Sequence, residues 1–211
     1  MDKELINAVA ELDEEKTLML VRERVKAGVT PLEIMEDCRR GVEIVGKRYN
    51  DGTYYLSDLI MSEEILRGVM EILKPYFPPK NESKGTKIIM GTIEGDIHDL
   101  GKNIVSYMLQ SAGFEVIDLG VDVEPKAFVD SIIKTGARIV GISVLLTFCI
   151  GSVKKTVDLI KKAGLRDQVK IVIGGYPVNE KILEYTGADY FENDVVKAVE
   201  LIKKIAEGIM K

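Results

Sequence analysis

His98 is the single histidine in 211 residues, and it sits in EGDIHDLGKN, residues 94–103. Gly95 and Gly101 flank it, and Asp96 and Asp99 stand beside it. A lone imidazole in such a loop has few chemical uses. Asp96, two residues earlier, is near enough to accept a hydrogen bond from one ring nitrogen. That contact fixes the tautomer, raises ligand basicity and leaves the other nitrogen for a metal. The glycines let the backbone turn tightly or approach a bulky ligand. A zinc site needs three or four clustered ligands, and this chain has no second histidine to offer. Cys149 and Ser143 lack the context of a nucleophile elbow, which disfavours a catalytic triad. One axial histidine is enough for a metal already held by a macrocycle. The plain alternative is a surface or satisfied side chain.

The elements that must position this loop change character near residue 78. Before it, four helices are expected. Asp2 caps a short first one. Asp13 caps a second with Leu18, Val21 and Val25 on its face, ending at Gly28. Thr30-Pro31 starts a third carrying Ile34, Cys38, Val42, Val45 and Tyr49. After an Asp51-Gly52 turn, a fourth runs from about Tyr55 to Tyr76 with Leu59, Leu66, Met70 and Leu73 on one stripe. Short loops between them make a small antiparallel bundle. PPKNESKG, residues 78–85, has linker composition.

Beyond it, apolar runs alternate with amphipathic stretches. Strands are expected at 86–91, 114–119, 137–143 and 169–175, with a short fifth near 188–191. Helices are expected near 99–112, 125–136, 151–164, 178–187 and 194–209. Continuous apolar strands separated by helices argue for a parallel sheet covered on both faces, here a flavodoxin-like doubly wound sheet of order 2-1-3-4-5. In that topology ligands bind beyond the carboxyl ends of the strands, where TIEGDIHDLG, SVLLTFC and GGYPVN lie. The expected division is a helical-bundle cap at 1–80 and a flavodoxin-like domain at 86–211.

The totals narrow the function. The composition, 46% hydrophobic and 30% charged, supports a real core, and the net charge of −5 gives nucleic-acid binding no electrostatic support. No apolar run reaches membrane-spanning length, and the polar start MDKELINAVAELDEEK does not read as a signal peptide. Cys38 and Cys149 cannot form a disulfide framework, so a reducing cytoplasm is expected.

Three motifs then carry a resemblance. Asp96-Ile97-His98-Asp99-Leu100-Gly101 matches the D-x-H-x-x-G pattern of cobalamin-binding domains, Ser143-Val144-Leu145 their S-x-L, and Gly174-Gly175 their GG. Order and spacing agree. The preceding helical bundle extends the match, so that nearly the whole chain resembles the corrinoid proteins of methyltransferase systems (methanol, methylamine, betaine-like or aryl methyl ether demethylation) and the cobalamin-binding module of methionine synthase.

The resemblance implies a cofactor, cobalamin or a related corrinoid, bound base-off/His-on with His98 as lower axial ligand of cobalt. It implies that Asp96 hydrogen-bonds the far nitrogen and couples proton uptake to cobalt chemistry, and it places Asp99 in the same cofactor-binding loop. Gly101 would leave room for the displaced nucleotide tail. Ser143 and Thr147 would bind the displaced base, Leu145 would line its channel, and Gly174 and Gly175 would let the tail pass close to the backbone. Where methionine synthase continues an Asp-His relay through a serine, this chain has Cys149, a weak donor. The bundle would shield the methyl group, with Tyr55, Leu56 and Leu59 as candidates, and the linker would be the hinge that moves it aside.

The implied activity is that of a methyl carrier, not a complete enzyme alone. Its partners would be a substrate-specific methyltransferase, an acceptor methyltransferase of folate or thiol type, and a reductive activase. The rivals are an isomerase's cobalamin-binding subunit, a cobalamin-dependent sensor or regulator, and a plain flavodoxin-like domain without metal. Residues 1–77 argue against the first. The lack of a basic or helix-turn-helix segment argues against the second. Ser143 at the close of the third strand, where a receiver wants its aspartate, argues against the receiver form of the third.

Overall fold

The structure, a computed structural model, describes residues 2–77 and 85–209. The chain divides into two compact units, Met1–Pro78 and Pro79–Lys211. The expected linker and hinge lie outside the described residues except for Gly85.

The first unit holds α1 (Lys3–Ala10), α2 (Glu14–Lys26), α3 (Pro31–Asn50) and α4 (Leu56–Leu73). Their starts follow from local chemistry. Asp2 accepts from the Glu4 amide at 2.9 Å, and Asp13 from the Lys16 amide at 3.0 Å. Thr30 and Glu33 form a reciprocal capping box ahead of Pro31. Each cap satisfies an amide that the helix start leaves unpaired, worth about 1 kcal/mol. Leu5, Val9, Val21, Ile34, Cys38, Val45, Ile65, Val69 and Leu73 are buried together as the core. Within it, Asp37 accepts from Arg24 Nη1 at 2.8 Å and from the Asp2 amide at 3.1 Å.

Helix α4 departs from the expected stripe. Ser62, Ile65, Val69, Met70 and Leu73 are its buried residues, whereas Leu59 and Leu66 are half-buried at the flanks. The helix is apolar around most of its circumference, so the period fixes its type but not its rotation. Its contact with α2, where Gly68 faces Leu18, sets the phase. It also ends at Leu73, with Lys74–Tyr76 a 3₁₀ turn, because Pro75 has no N–H to continue the ladder. Tyr55 and Leu56 stand exposed at its start. On α3 the expected face holds at Ile34, Cys38 and Val45, but Val42 is half-buried and Tyr49 exposed.

The second unit runs β1 (Lys87–Thr92), α5 (Leu100–Ser111), β2 (Glu115–Asp118), α6 (Pro125–Thr135), β3 (Ile139–Ser143), α7 (Ile150–Lys162), β4 (Lys170–Gly174), α8 (Glu180–Thr186), β5 (Tyr190–Phe191) and α9 (Val195–Ile209). The strands form one parallel sheet of order β2-β1-β3-β4-β5. Successive side chains take opposite faces. Ile89, Val140 and Ile171 pack with Phe128 and Val153 on one face; Ile88, Ile139 and Val172 pack with Leu109 and Ile202 on the other. The register is the point that matters for function. Thr92 pairs with Ser143, and Ser143 with Gly174, so β1, β3 and β4 end side by side and their loops emerge together. Among the described residues no helix is long and apolar enough to cross a membrane.

Candidate functional site

Beyond those strand ends the β1–α5 loop folds around Asp96, whose side chain is fully buried. Gly95 adopts φ +87°, a left-handed conformation that glycine takes without strain. Its amide donates to Asp122 Oδ1 at 2.7 Å, and the Asp122 amide donates back to the Asp96 carbonyl at 3.0 Å. The loop is thus tied to the β2–α6 connection. Asp96 Oδ2 accepts from the amides of Leu145 at 2.6 Å and Leu146 at 3.0 Å, which ties the loop after β3 to the same carboxylate. Asp96 Oδ1 accepts from the His98 amide at 3.1 Å and contacts His98 Nδ1 at 2.7 Å.

The electrostatics follow from this arrangement. Burial pushes the Asp96 carboxyl up, but the Leu145 and Leu146 amides, the His98 ring and the His98 amide outweigh it and hold the group below the ordinary carboxylate value. With its folded value lowered, Asp96 contributes stability above its unfolded titration range, and this is lost as pH falls through the lowered value. An ionised carboxylate only accepts, so the proton between the pair belongs to Nδ1 of the imidazole. Nε2 is the ring nitrogen left without a hydrogen-bond partner among the described residues, on a side chain about one-third exposed (35%). The described residues contain no group of three or more side chains able to cage a metal ion.

The other expected site residues gather at the same end of the sheet. Asp99 precedes α5 and accepts from Asn103 Nδ2 at 2.9 Å. Gly101 is exposed, with no atom within 4 Å of where a Cβ would stand, so this turn of α5 borders open space. Ser143 closes β3 half-buried, Leu145 is exposed, and Thr147 opens an exposed 3₁₀ turn. Gly174 and Gly175 have a reason the sequence did not reveal. A Cβ on Gly175 (φ +128°) would lie 1.8 Å from the Val144 carbonyl oxygen, and one on Gly174 would lie 2.8 Å from that of Glu192. Here the close approach that needs glycine is that of the protein's own backbone.

Cys149 is buried, and its sulfur lies 3.1 Å from the Cβ position of Gly95, filling the space beneath the loop. Burial, then the charges of Asp96 and Asp122, push its thiol up. Since Asp96 Oδ2 is occupied by main-chain amides, the second oxygen of the pair ends in backbone rather than in a relay side chain.

Two contributors had no sequence signal. Asp122, at φ +52°, braces Gly95 from another strand's loop. Lys102, buried in α5, donates to both oxygens of Asp118 at 2.7 Å and to Asn103 at 2.8 Å, while Asp118 also takes the Gly120 amide at 2.9 Å. This fixes the start of α5 against the end of β2. Two surface clefts of about 610 and 560 Å³ lie elsewhere, beside the amino end of β4 and along β5, and neither is lined by the histidine loop.

Comparison with known proteins matches two family profiles, each described as a B12 binding domain, at residues 86–200 and 1–74. A corrinoid protein of Desulfitobacterium hafniense is 36% identical over 206 residues, covering 96% of this chain and 95% of its own. Trimethylamine corrinoid protein 2 of Methanosarcina mazei is 37% identical over 206 residues, covering 94% of each. The solved monomethylamine corrinoid protein of Methanosarcina barkeri superposes with a TM-score of 0.89 at 32% identity, covering 95% of this chain and 96% of its own.

Proposed function

The chain belongs to the B12 binding domain family, and from that premise we propose that it is a corrinoid protein carrying a methyl group between two methyltransferases, with His98 as the lower ligand of cobalt in a base-off/His-on cofactor. The observation that carries this reading is the Asp96–His98 pair: Nδ1 engaged at 2.7 Å by a buried carboxylate, Nε2 left over on a side chain about one-third exposed. The open space at Gly101 and the absence of a competing ligand cage among the described residues fit a bulky cofactor that arrives with its metal already chelated.

When bound, the corrinoid supplies a cobalt centre that accepts and donates methyl groups; the protein supplies binding, ligation and shelter. His98 offers Nε2. Asp96 holds the imidazole in the Nδ1–H tautomer and keeps it aimed. Ser143 and Thr147 would bind the displaced base, Leu145 would line its channel, Gly101 would leave room for the nucleotide tail, and Asp99 would belong to the same cofactor-binding loop. Gly175 lets the loops after β3 and β4 pack closely there, and Gly174 lets the end of β4 pack on the segment after β5. We assign the helical unit a protective role toward the transferred group, with Tyr55, Leu56 and Leu59 as the candidates. The donor enzyme is substrate-specific, methylamines being named in the relatives. The acceptor enzyme uses a thiol or folate, and a reductive activase restores the cofactor in the cytoplasm.

The test is a visible spectrum after reconstitution with hydroxocobalamin, wild type against His98→Ala. A stoichiometric corrinoid band whose ligation spectrum changes in the variant is expected. No retained corrinoid in the wild type would overturn the carrier reading; retention with identical spectra would remove His98 from cobalt.

A further inference from the structure

Two aromatic side chains at the strand ends have no role in the account above. Phe148 is 78% exposed and Tyr176 87% exposed. Exposed apolar side chains scattered singly need no explanation, but several gathered from neighbouring loops into one patch mark a surface for a ligand or partner. Both stand on fixed backbone. Phe148 lies in the 3₁₀ turn closed by the Cys149 amide on the Leu146 carbonyl at 2.9 Å, and its neighbour Cys149 is buried. Tyr176 follows Gly175, whose amide donates to Asn193 Oδ1 at 3.2 Å, in a turn closed by the Val178 amide on the Gly175 carbonyl at 3.0 Å with Val178 buried.

The two turns also belong together. Gly175 packs so tightly on the Val144 carbonyl that a Cβ would overlap it, and the Val144 amide donates to the Gly174 carbonyl at 2.9 Å. The next residues after Val144, Leu145 and Leu146, are pinned by Asp96, which also holds His98. One continuous set of contacts, through the Asp96 carboxylate and then the backbone, therefore connects the imidazole, the Phe148 turn and the Tyr176 turn. Ile97, 59% exposed, and Leu145, 41% exposed, add apolar surface from the same loops.

We infer that Phe148 and Tyr176 form an aromatic ledge against which the conjugated macrocycle of the corrinoid rests beside His98. The inference deepens the proposed function and rests on it. The macrocycle is favoured over the nucleotide because both rings are highly exposed on turns that follow strand ends, whereas a group threading between the loops would meet half-buried residues such as Ser143. A flat, polarisable ring system against aromatic faces gains both apolar burial and stacking.

The test is equilibrium dialysis of cobalamin and of cobinamide, which lacks the nucleotide, against wild type, Phe148→Ala, Tyr176→Ala, the double variant and Tyr176→Phe. Exposed positions of this kind leave folding unaffected, which thermal unfolding checks. Each alanine variant is expected to weaken both ligands about fivefold to tenfold and the double variant more, with Tyr176→Phe near wild type. The His-on spectrum should persist at saturating ligand, which separates this outcome from failure of the carrier reading. Loss for cobalamin alone would overturn the assignment to the macrocycle. Unchanged affinity for both ligands, with wild type binding normally, would overturn the ledge and leave these rings to a protein partner.

Discussion

Each unit contains one aspartate buried to within a few percent, and the two are solved differently. Asp37 faces a guanidinium, Arg24 Nη1 at 2.8 Å, and the Asp2 amide, so its charge is neutralised inside the helical unit. Asp96 has no Lys or Arg against it among the described residues. It accepts three main-chain amides and the His98 ring. A carboxylate matched to a cation is complete as it stands. One held by neutral donors and an imidazole keeps its negative charge uncancelled and fixes the ring beside it. The first arrangement holds a bundle together; the second prepares a ligand.

Substitution should separate them. Asp37→Ala strands a largely buried Arg24 and is expected to lower unfolding free energy by about 3 kcal/mol in urea titrations, with corrinoid affinity of the folded protein unchanged. Asp96→Ala should instead weaken corrinoid binding about 10- to 100-fold in equilibrium dialysis, with a smaller stability loss because the three amides it orphans belong to exposed or half-buried residues that water can reach. A changed ligation spectrum in the Asp37 variant, or unchanged affinity in the Asp96 variant, would erase the distinction.

The glycines sharpen the same contrast at lower amplitude. Gly175→Ala forces a methyl group into the Val144 carbonyl and should cost about 1–3 kcal/mol of stability by thermal unfolding. Gly101→Ala meets open space and should change stability by less than about 0.5 kcal/mol. Equal losses would show that Gly101 is structural too. A cap falls between these two: Thr30→Ala is expected to cost about 1 kcal/mol in the helical unit and nothing in corrinoid affinity.

Much of this was readable from the residues. Asp2, Asp13 and Thr30-Pro31 act within one helical turn, so local chemistry names them. The four long apolar runs announce strands because parallel strands are buried on both faces. Asp96 and His98 are two residues apart, so their contact could be anticipated. What escaped depends on partners distant in sequence. The second oxygen of Asp96 reaches Leu145 and Leu146, and Gly95 leans on Asp122, contacts only the sheet register creates. The expected purpose of Gly174 and Gly175 was room for a ligand, whereas their immediate neighbours are Glu192 and Val144. The rotation of α4 escaped for a different reason: a helix apolar on most sides carries no phase.

The clamp on Asp96 also sets an order of events during synthesis. The histidine and its carboxylate leave the ribosome with β1, but the amides that hold that carboxylate come from residues 145 and 146, after β3. Ile88 must first find Ile139, a long-range parallel pairing of the kind that forms slowly. A nascent chain extended only through α6 has the ligand without its support. The pair is completed when the third strand docks, so a growing chain gains its mature imidazole only after the centre of the sheet is in place.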